Sequence, residues 1–332
     1  MLKTRLCHEL GIDHPIFSAG MGVGMSGAAL TAAVSNAGAF GVLGAGGLPA
    51  EVTRDLVRET RRLTAKPFGV NILLPLLHEG QIEACLAEKV AAIVLFWGDP
   101  TPYVGPVHRA GIKLYIQVGS IDEAEAAAAA GVDGLIVQGN EAGGHVKSTT
   151  ALSSIVPAVL ERVTVPIIAS GGIATGRGIV AALSLGAQAV SIGTRFVAST
   201  ECEVEEEYKR RIVAARAEDT VYTTIFDVGW PDAPHRVLKN EAFAEWSAAG
   251  APRTGERPGE GVEIGALPLA GQHVPVVNYS VFPPVVGFKG DYERAALYCG
   301  ESCNLVHDIK PAAEIVRDLV AEAERGLKAL AA

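Results

Sequence analysis

The run Ala127-Ala128-Ala129-Ala130-Gly131-Val132-Asp133-Gly134-Leu135-Ile136-Val137-Gln138 decides the fold. An alanine-rich helix stops at a glycine, a short spacer follows, and an apolar strand begins. The same joint recurs at Ser35-Asn36-Ala37-Gly38, Ala110-Gly111 and Leu185-Gly186. Each of these glycines is expected in the left-handed conformation that ends a helix. Working outward, strands are expected at Pro15–Ser18, Gly41–Gly44, Phe68–Ile72, Ala92–Phe96, Lys113–Gln117, Gly134–Gln138, Pro166–Ala169 and Ala189–Ile192. Helices are expected near Gly27–Ala37, Pro49–Thr64, Gln81–Glu88, Pro102–Ala110, Ile121–Ala130, Leu152–Arg162 and Gly176–Leu185. Eight nearly all-apolar strands alternating with helices imply a parallel sheet buried on both faces. One joint used again and again favours a closed α/β architecture, the TIM (β/α)8 barrel. A doubly wound sheet is the alternative, because strand order is not visible in a sequence.

The rhythm breaks after Arg195. Glu201–Ala217 reads as a charged helix, and the stretch from Glu218 to about Tyr292 is rich in Gly, Pro and charge with no βα alternation. We therefore expect a barrel formed by 1–217 and 300–332, with 218–299 as an inserted lid or cap. Pro311–Leu330, apolar at helical spacing, is expected to be the closing helix.

With 332 residues, 49% of them hydrophobic and 20% charged, the chain can bury one large core. The net charge of −9 and the lack of a basic run longer than Lys209-Arg210-Arg211 speak against a nucleic-acid partner. Residues 14–50 contain no Asp, Glu, Lys or Arg, a length that could span a bilayer. Pro15, several glycines and Asn36 break the stretch into strand and helix pieces, so no membrane partner is expected. The five cysteines are scattered, and the opening residues carry no secretory pattern, so free thiols in a cytoplasm are expected. Cys299 and Cys303 stand at i, i+4; without a second pair they read as helical packing, and no metal is expected.

In such barrels ligands sit at the carboxyl ends of the strands, with phosphate after the last two. Strand seven ends in Ala169-Ser170-Gly171-Gly172-Ile173 and strand eight in Ser191-Ile192-Gly193-Thr194-Arg195-Phe196. Glycines let backbone amides approach a phosphate, a helix entered through Gly193-Thr194 offers unpaired amides, and Ser170 and Thr194 add hydroxyls. Gly20, Met21 and Gly22 follow strand one, Asn71 lies at strand three, and Gln117 and Gln138 end strands five and six. Amides at these places suit a ring edge presenting both donors and acceptors; each alone could be a satisfied core amide. The loop Gln138-Gly139-Asn140-Glu141-Ala142-Gly143-Gly144-His145 carries a histidine at the catalytic end, able to exchange a proton near neutral pH. Glu141 reads equally as its partner or as a structural cap.

In these residues, with Pro15-Ile16 and Phe68-Gly69-Val70-Asn71, the sequence resembles the nitronate monooxygenase family, formerly 2-nitropropane dioxygenases, and the related FMN-dependent enoyl-ACP reductases. The resemblance implies a TIM barrel holding FMN through Gly20, Met21, Gly22, Asn71, Gln117, Gln138, Gly143, Ser170, Gly171, Gly172, Gly193 and Thr194, with His145 catalytic. It implies oxidation of a small-molecule alkyl nitronate with O2 as co-substrate, electrons passing through FMN, to a carbonyl compound and nitrite. A protonated His145 would stabilise the anion. The run Thr223–Pro231 through His235–Asn240 is not the usual lid text of the best-known subgroup; Trp230 or His235 could lie over the flavin or be lid packing. A second enzyme reading is an NAD(P)H-dependent enoyl-thioester or quinone reductase. From another class come a non-catalytic flavin or phosphate-ligand barrel and an aldolase-type barrel. The last is weakened because no lysine ends a strand. A homodimer is compatible with all of these.

Overall fold

The computed structural model describes residues 2–22, 24–269 and 272–330. Residues 1, 23 and 331–332 of the expected barrel and 270–271 of the expected lid lie outside them. Eight strands form one parallel ring: β1 (Ile16–Ser18), β2 (Gly41–Gly44), β3 (Phe68–Leu73), β4 (Ala92–Phe96), β5 (Lys113–Val118), β6 (Gly134–Gln138), β7 (Ile167–Ser170) and β8 (Ala189–Ile192). From β2 to β8 each pairs with its successor, and β8 returns to β1 with Ile16 opposite Val190. The last seam is closed by Phe40 N–H donating to the Ile16 carbonyl at 2.8 Å and Ser18 N–H donating to that of Phe40 at 3.0 Å. Neighbours in strict chain order exclude the doubly wound alternative. The fold is a TIM barrel.

Helix α1 (Arg5–Leu10) precedes the ring. Its outer layer begins with α2 (Ala28–Asn36), α3 (Ala50–Leu63), α4 (Gln81–Ala87) and α5 (Thr101–Arg109), and continues with α6 (Ile121–Ala130), α7 (Leu152–Leu160) and α8 (Gly176–Ser184). The deciding run behaves as its chemistry dictates. The Ser120 side chain accepts from Glu123 N–H at the start of α6, and Gly131 ends it at φ +96°. Gly38, Gly111 and Gly186 are likewise left-handed, at φ +86°, +73° and +102°.

Two cores result. One lies between ring and helices. The other fills the barrel with Phe17, Phe40, Val94, Tyr115 and Ile136, and is plugged by Leu6, Cys7 and Leu10 of α1. The plug closes the amino-terminal end, so the opposite end is left for a site.

Beyond β8 come α9 (Thr194–Val197) and α10 (Glu206–Ala214). The expected charged helix over Glu201–Ala217 is therefore much shorter. Residues just before it are drawn into tertiary pairs, with Glu203 N–H on the Met25 carbonyl and Val204 bridged to Val285. The segment expected as a lid contains two antiparallel hairpins, β9 (Thr220–Thr223) with β10 (His235–Leu238) and β11 (Glu263–Leu269) with β12 (Gln272–Val277), separated by α11 (Glu241–Ala248). Cys299 and Cys303 do not share an α-helix. Cys299 N–H pairs with the Arg236 carbonyl, and Cys303 sits in a 3-10 turn, Glu301–Leu305. Helix α12 (Ala312–Leu330) closes the ring against α8, where a Cβ on Gly176 would fall 2.3 Å from the Ala323 nitrogen. Among the described residues no helix is long and apolar enough to cross a membrane.

Candidate active site

The open end of the barrel holds a cavity of about 470 Å³, within the range of cofactor and substrate sites. All the site residues expected from sequence line it.

On one side stand the loops after β7 and β8. The strands are paired with Ser170 opposite Ser191, so the loops that follow are neighbours. Gly171 and Gly172 take φ +114° and +68°, conformations that disfavour side chains and turn successive amides to one side. Thr194 opens α9, whose first amides have no partner within the helix. Helix α9 is a single turn of four residues, so local amides replace the helix dipole expected there. Thr194 Oγ1 accepts from Gly300 N–H at 3.0 Å, tying the loop to the end of the inserted segment. Arg195 points away, donating to the Asp308 carbonyl and carboxylate at 2.8 and 2.7 Å. Among the described residues no Asp, Glu, Lys or Arg lines the cavity.

Across the mouth, Gly20 presses on Asn71: an added Cβ would lie 2.2 Å from the Asn71 Cβ. Met21 N–H is already bound to Ser26 Oγ at 2.8 Å. Asn71 is buried; its Nδ2 donates to the Val94 carbonyl at 3.1 Å, while its Oδ1 has no donor. Gln117 is half-buried in the wall. Gln138 faces its own loop, with Nε2 donating to the His145 carbonyl at 3.0 Å and Oε1 accepting from Lys147 N–H at 3.4 Å. Its amide positions the histidine backbone.

His145 belongs to a two-residue strand, Gly144–His145, added to the edge of β10, with His145 opposite His235 and Gly144 opposite Arg236. Gly143 is pressed so closely that a Cβ would meet Gly300 N at 2.3 Å. The Arg236 guanidinium donates to the Asn140 carbonyl at 2.9 and 3.1 Å and to Thr220 Oγ1 at 3.1 Å. Glu141 accepts from Leu152 N–H with both carboxylate oxygens at 3.0 Å, at the start of α7. Of its two readings the structural cap holds.

Trp230 stacks on the His145 ring, centroids 4.2 Å apart at 26°. Tyr298 stands at 5.4 Å, His235 at 5.5 Å and Trp97 at 6.4 Å. Burial, aided by the neighbouring His235, pushes the His145 imidazole well below its usual 6.5. The ring is therefore neutral at pH 7, so of the two roles open to it from sequence the resting form suits removal of a proton rather than pairing with an anion. Its Nε2 is buried without a partner. His235 is fully buried behind it, with Nδ1 2.9 Å from the Ala233 carbonyl and Nε2 accepting from Phe226 N–H at 3.2 Å; burial lowers it to about 4. Trp230 lines the cavity and His235 does not.

Sequence reasoning missed Trp97, Tyr298 and the apolar wall of Leu73, Leu76, Val281 and Phe282, which packs with Trp230. Trp97 has the strained φ +65° immediately after β4; a bulky residue at a strand's carboxyl end was its signal. Tyr298 enters from the far end of the insert, and nothing local marks it.

The sequence model described as nitronate monooxygenase matches residues 3–91 and 77–322. The chain is 31% identical to a nitronate monooxygenase of Paraburkholderia phytofirmans, with 99% of this chain and 97% of that one covered. It is 35% identical to the (3aS,4S,5R,7aS)-5-hydroxy-7a-methyl-1-oxo-octahydro-1H-indene-4-carboxyl-CoA dehydrogenase of Mycobacterium tuberculosis, over 72% of this chain and 67% of that one. Among solved structures, FabK from Thermotoga maritima superposes with a TM-score of 0.81 at 32% identity, covering 99% of both chains. A nitroalkane oxidase from Streptomyces ansochromogenes superposes at 0.79 and 26% identity, covering 98% and 99%. The match over nearly the whole chain, in a TIM barrel with these loops, shows that the protein belongs to the nitronate monooxygenase family of oxidoreductases.

Proposed function

We propose that the chain is an FMN-dependent nitronate monooxygenase that oxidises an alkyl nitronate with O2 to a carbonyl compound and nitrite, with 218–299 as its lid. The observation that carries this reading is the convergence on one cavity of two adjacent glycine loops and a half-buried histidine held neutral.

The residues fit FMN. Amides of Gly171, Gly172, Gly193 and Thr194, with the Ser170 hydroxyl, form a neutral cradle for a phosphate. The donorless Oδ1 of Asn71 is an acceptor that a flavin ring N–H would satisfy. Gly20, Gly22 and Gly143 keep the backbone low beneath such a ring, and Gln117 is the remaining wall amide. When bound, FMN supplies the electron transfer that side chains cannot.

The chain's own part is to bind, orient and manage a proton. A neutral imidazole is a base, so His145, which lines the cavity, can take the α-proton of a nitroalkane; the imidazolium so formed would pair with the nitronate. Trp230 and Tyr298 hold the ring and exclude water. Gln138 and Arg236 fix the loop behind it.

A second reading, an NAD(P)H-dependent reductase or dehydrogenase acting on an acyl thioester, is favoured by the 35% identity to the carboxyl-CoA dehydrogenase. One pair of assays separates the two. The FMN-loaded protein should release nitrite from propyl-2-nitronate in air without NAD(P)H. Failure to do so, together with rapid bleaching by NADPH under argon, would establish the second reading. A flavin that responds to neither would leave a binding module.

A further inference from the structure

The proposed function leaves open what the substrate carries beyond its reacting carbon, and the cavity walls bear on that. Leu73, Leu76 and Leu77 come from the stretch ending and following β3, and Trp230, Val281 and Phe282 from the inserted segment; all six line the cavity. Leu73, Leu76, Trp230, Val281 and Phe282 form one apolar cluster with Trp97 and Tyr298, and Leu77 joins the same wall from the edge of the core between ring and helices. Among the described residues, the titratable side chains on the cavity are His78, His145 and Tyr298. His78 is exposed, His145 is held neutral, and the Tyr298 hydroxyl donates to the Val281 carbonyl at 2.8 Å. Lys147 lies 5.2 Å from the centre of the Trp97 ring, but it is paired with Glu123 and does not line the cavity.

Resting on the reading of this cavity as the substrate site, we propose that its lid-side half selects an uncharged, apolar chain or ring and rejects a substrate whose tail ends in a carboxylate. A carboxylate among these six side chains would lose its water and find no cation and few donors in return. A methylene chain there gains by leaving water. Trp230 is the specificity-determining residue of this half, because it joins the apolar wall to the histidine.

The test compares two probes of equal reach, 1-nitrohexane and 6-nitrohexanoate, at a pH where the nitro-bearing carbon keeps its proton. Affinity is read by calorimetry on the full-length holoprotein under argon, so that no O2-dependent turnover occurs. The neutral probe should bind at least about a hundredfold more tightly. In Leu76→Arg the ratio should fall at least tenfold, through tighter binding of the carboxylate. Equal affinity, preference for 6-nitrohexanoate, or no saturable binding of 1-nitrohexane would each overturn the proposal. If Leu76→Arg does not fold, the wild-type ratio decides alone. Because binding and nitrite release are separate readings, a protein that oxidises no nitronate can still show the preference, and one that does can still lack it.

Discussion

The two rims of the cavity are built on opposite terms. The loops after β7 and β8 are short, adjacent and nearly self-sufficient, their shape set by left-handed glycines. The rim carrying His145 borrows everything: its strand is paired to β10, its ring is stacked on Trp230, and its loop is held by Arg236 and packed on Gly300. The first rim suits a tightly held phosphate, whose position does not change during a reaction. The second places its chemistry on a segment whose opening would expose the histidine. Binding and reactivity should therefore separate on mutation.

The largest separation is expected from His145→Ala. General acid–base groups contribute about 10²–10⁴-fold, so turnover of a nitroalkane, which must first lose its α-proton, should fall by that order while flavin content stays at the wild-type level. Normal turnover would remove the proton role; lost flavin would show that the rims are not independent. Next is Arg236→Met, which strips the charge-assisted bonds to Asn140 and Thr220 and leaves Glu301, 3.1 Å away, without its partner. The half-exposed Glu301 is screened by water and adds little, but losing the bonds of the buried guanidinium costs about 3 kcal/mol, measurable by urea unfolding. A change within error would show that the loop stands without its clamp.

The comparison also has a pH signature. His235 is lowered from 6.5 to about 4, and His145 is lowered too. Below pH 6.5 the unfolded chain binds protons that the folded chain refuses, so stability falls as pH drops through this window. For His235 alone the loss approaches about 3 kcal/mol near pH 4. A thermal midpoint flat between pH 7 and 4.5 would contradict this burial. The smallest expected effect is that of Trp230→Ala, a roughly tenfold weaker affinity for 1-nitrohexane, about 1.4 kcal/mol, with flavin affinity unchanged.

The same contrast explains what could be read from sequence. Gly131, Gly171 and Gly172 sit beside their partners along the chain, so periodicity and backbone chemistry suffice to assign the barrel and the glycine loops. His145 was visible as a histidine in a glycine-rich loop, but its neutral state was not, because that state is imposed by Trp230, His235 and Tyr298, all more than eighty residues downstream. Glu141 was left between two roles because its partner, Leu152 N–H, exists only once α7 is in place. The charged helix was overextended because Glu203 and Val204 satisfy their backbone in tertiary pairs, a competition that helical pattern does not register.

On the proposed function, neutral backbone amides of two neighbouring turns hold the FMN phosphate. Gly193→Asp tests it most directly. At φ −102°, with the nearest atom 3.6 Å from an added Cβ, the position accepts a side chain without strain, while the new carboxylate would repel a phosphate. Titrating FMN into flavin-stripped wild-type and Gly193→Asp protein should give stoichiometric binding in the first and at least about a hundredfold weaker binding in the second, with matching thermal midpoints in the absence of flavin. Equal FMN affinity in the two proteins, or a wild-type chain that takes up no FMN, would show that these turns do not hold a flavin phosphate.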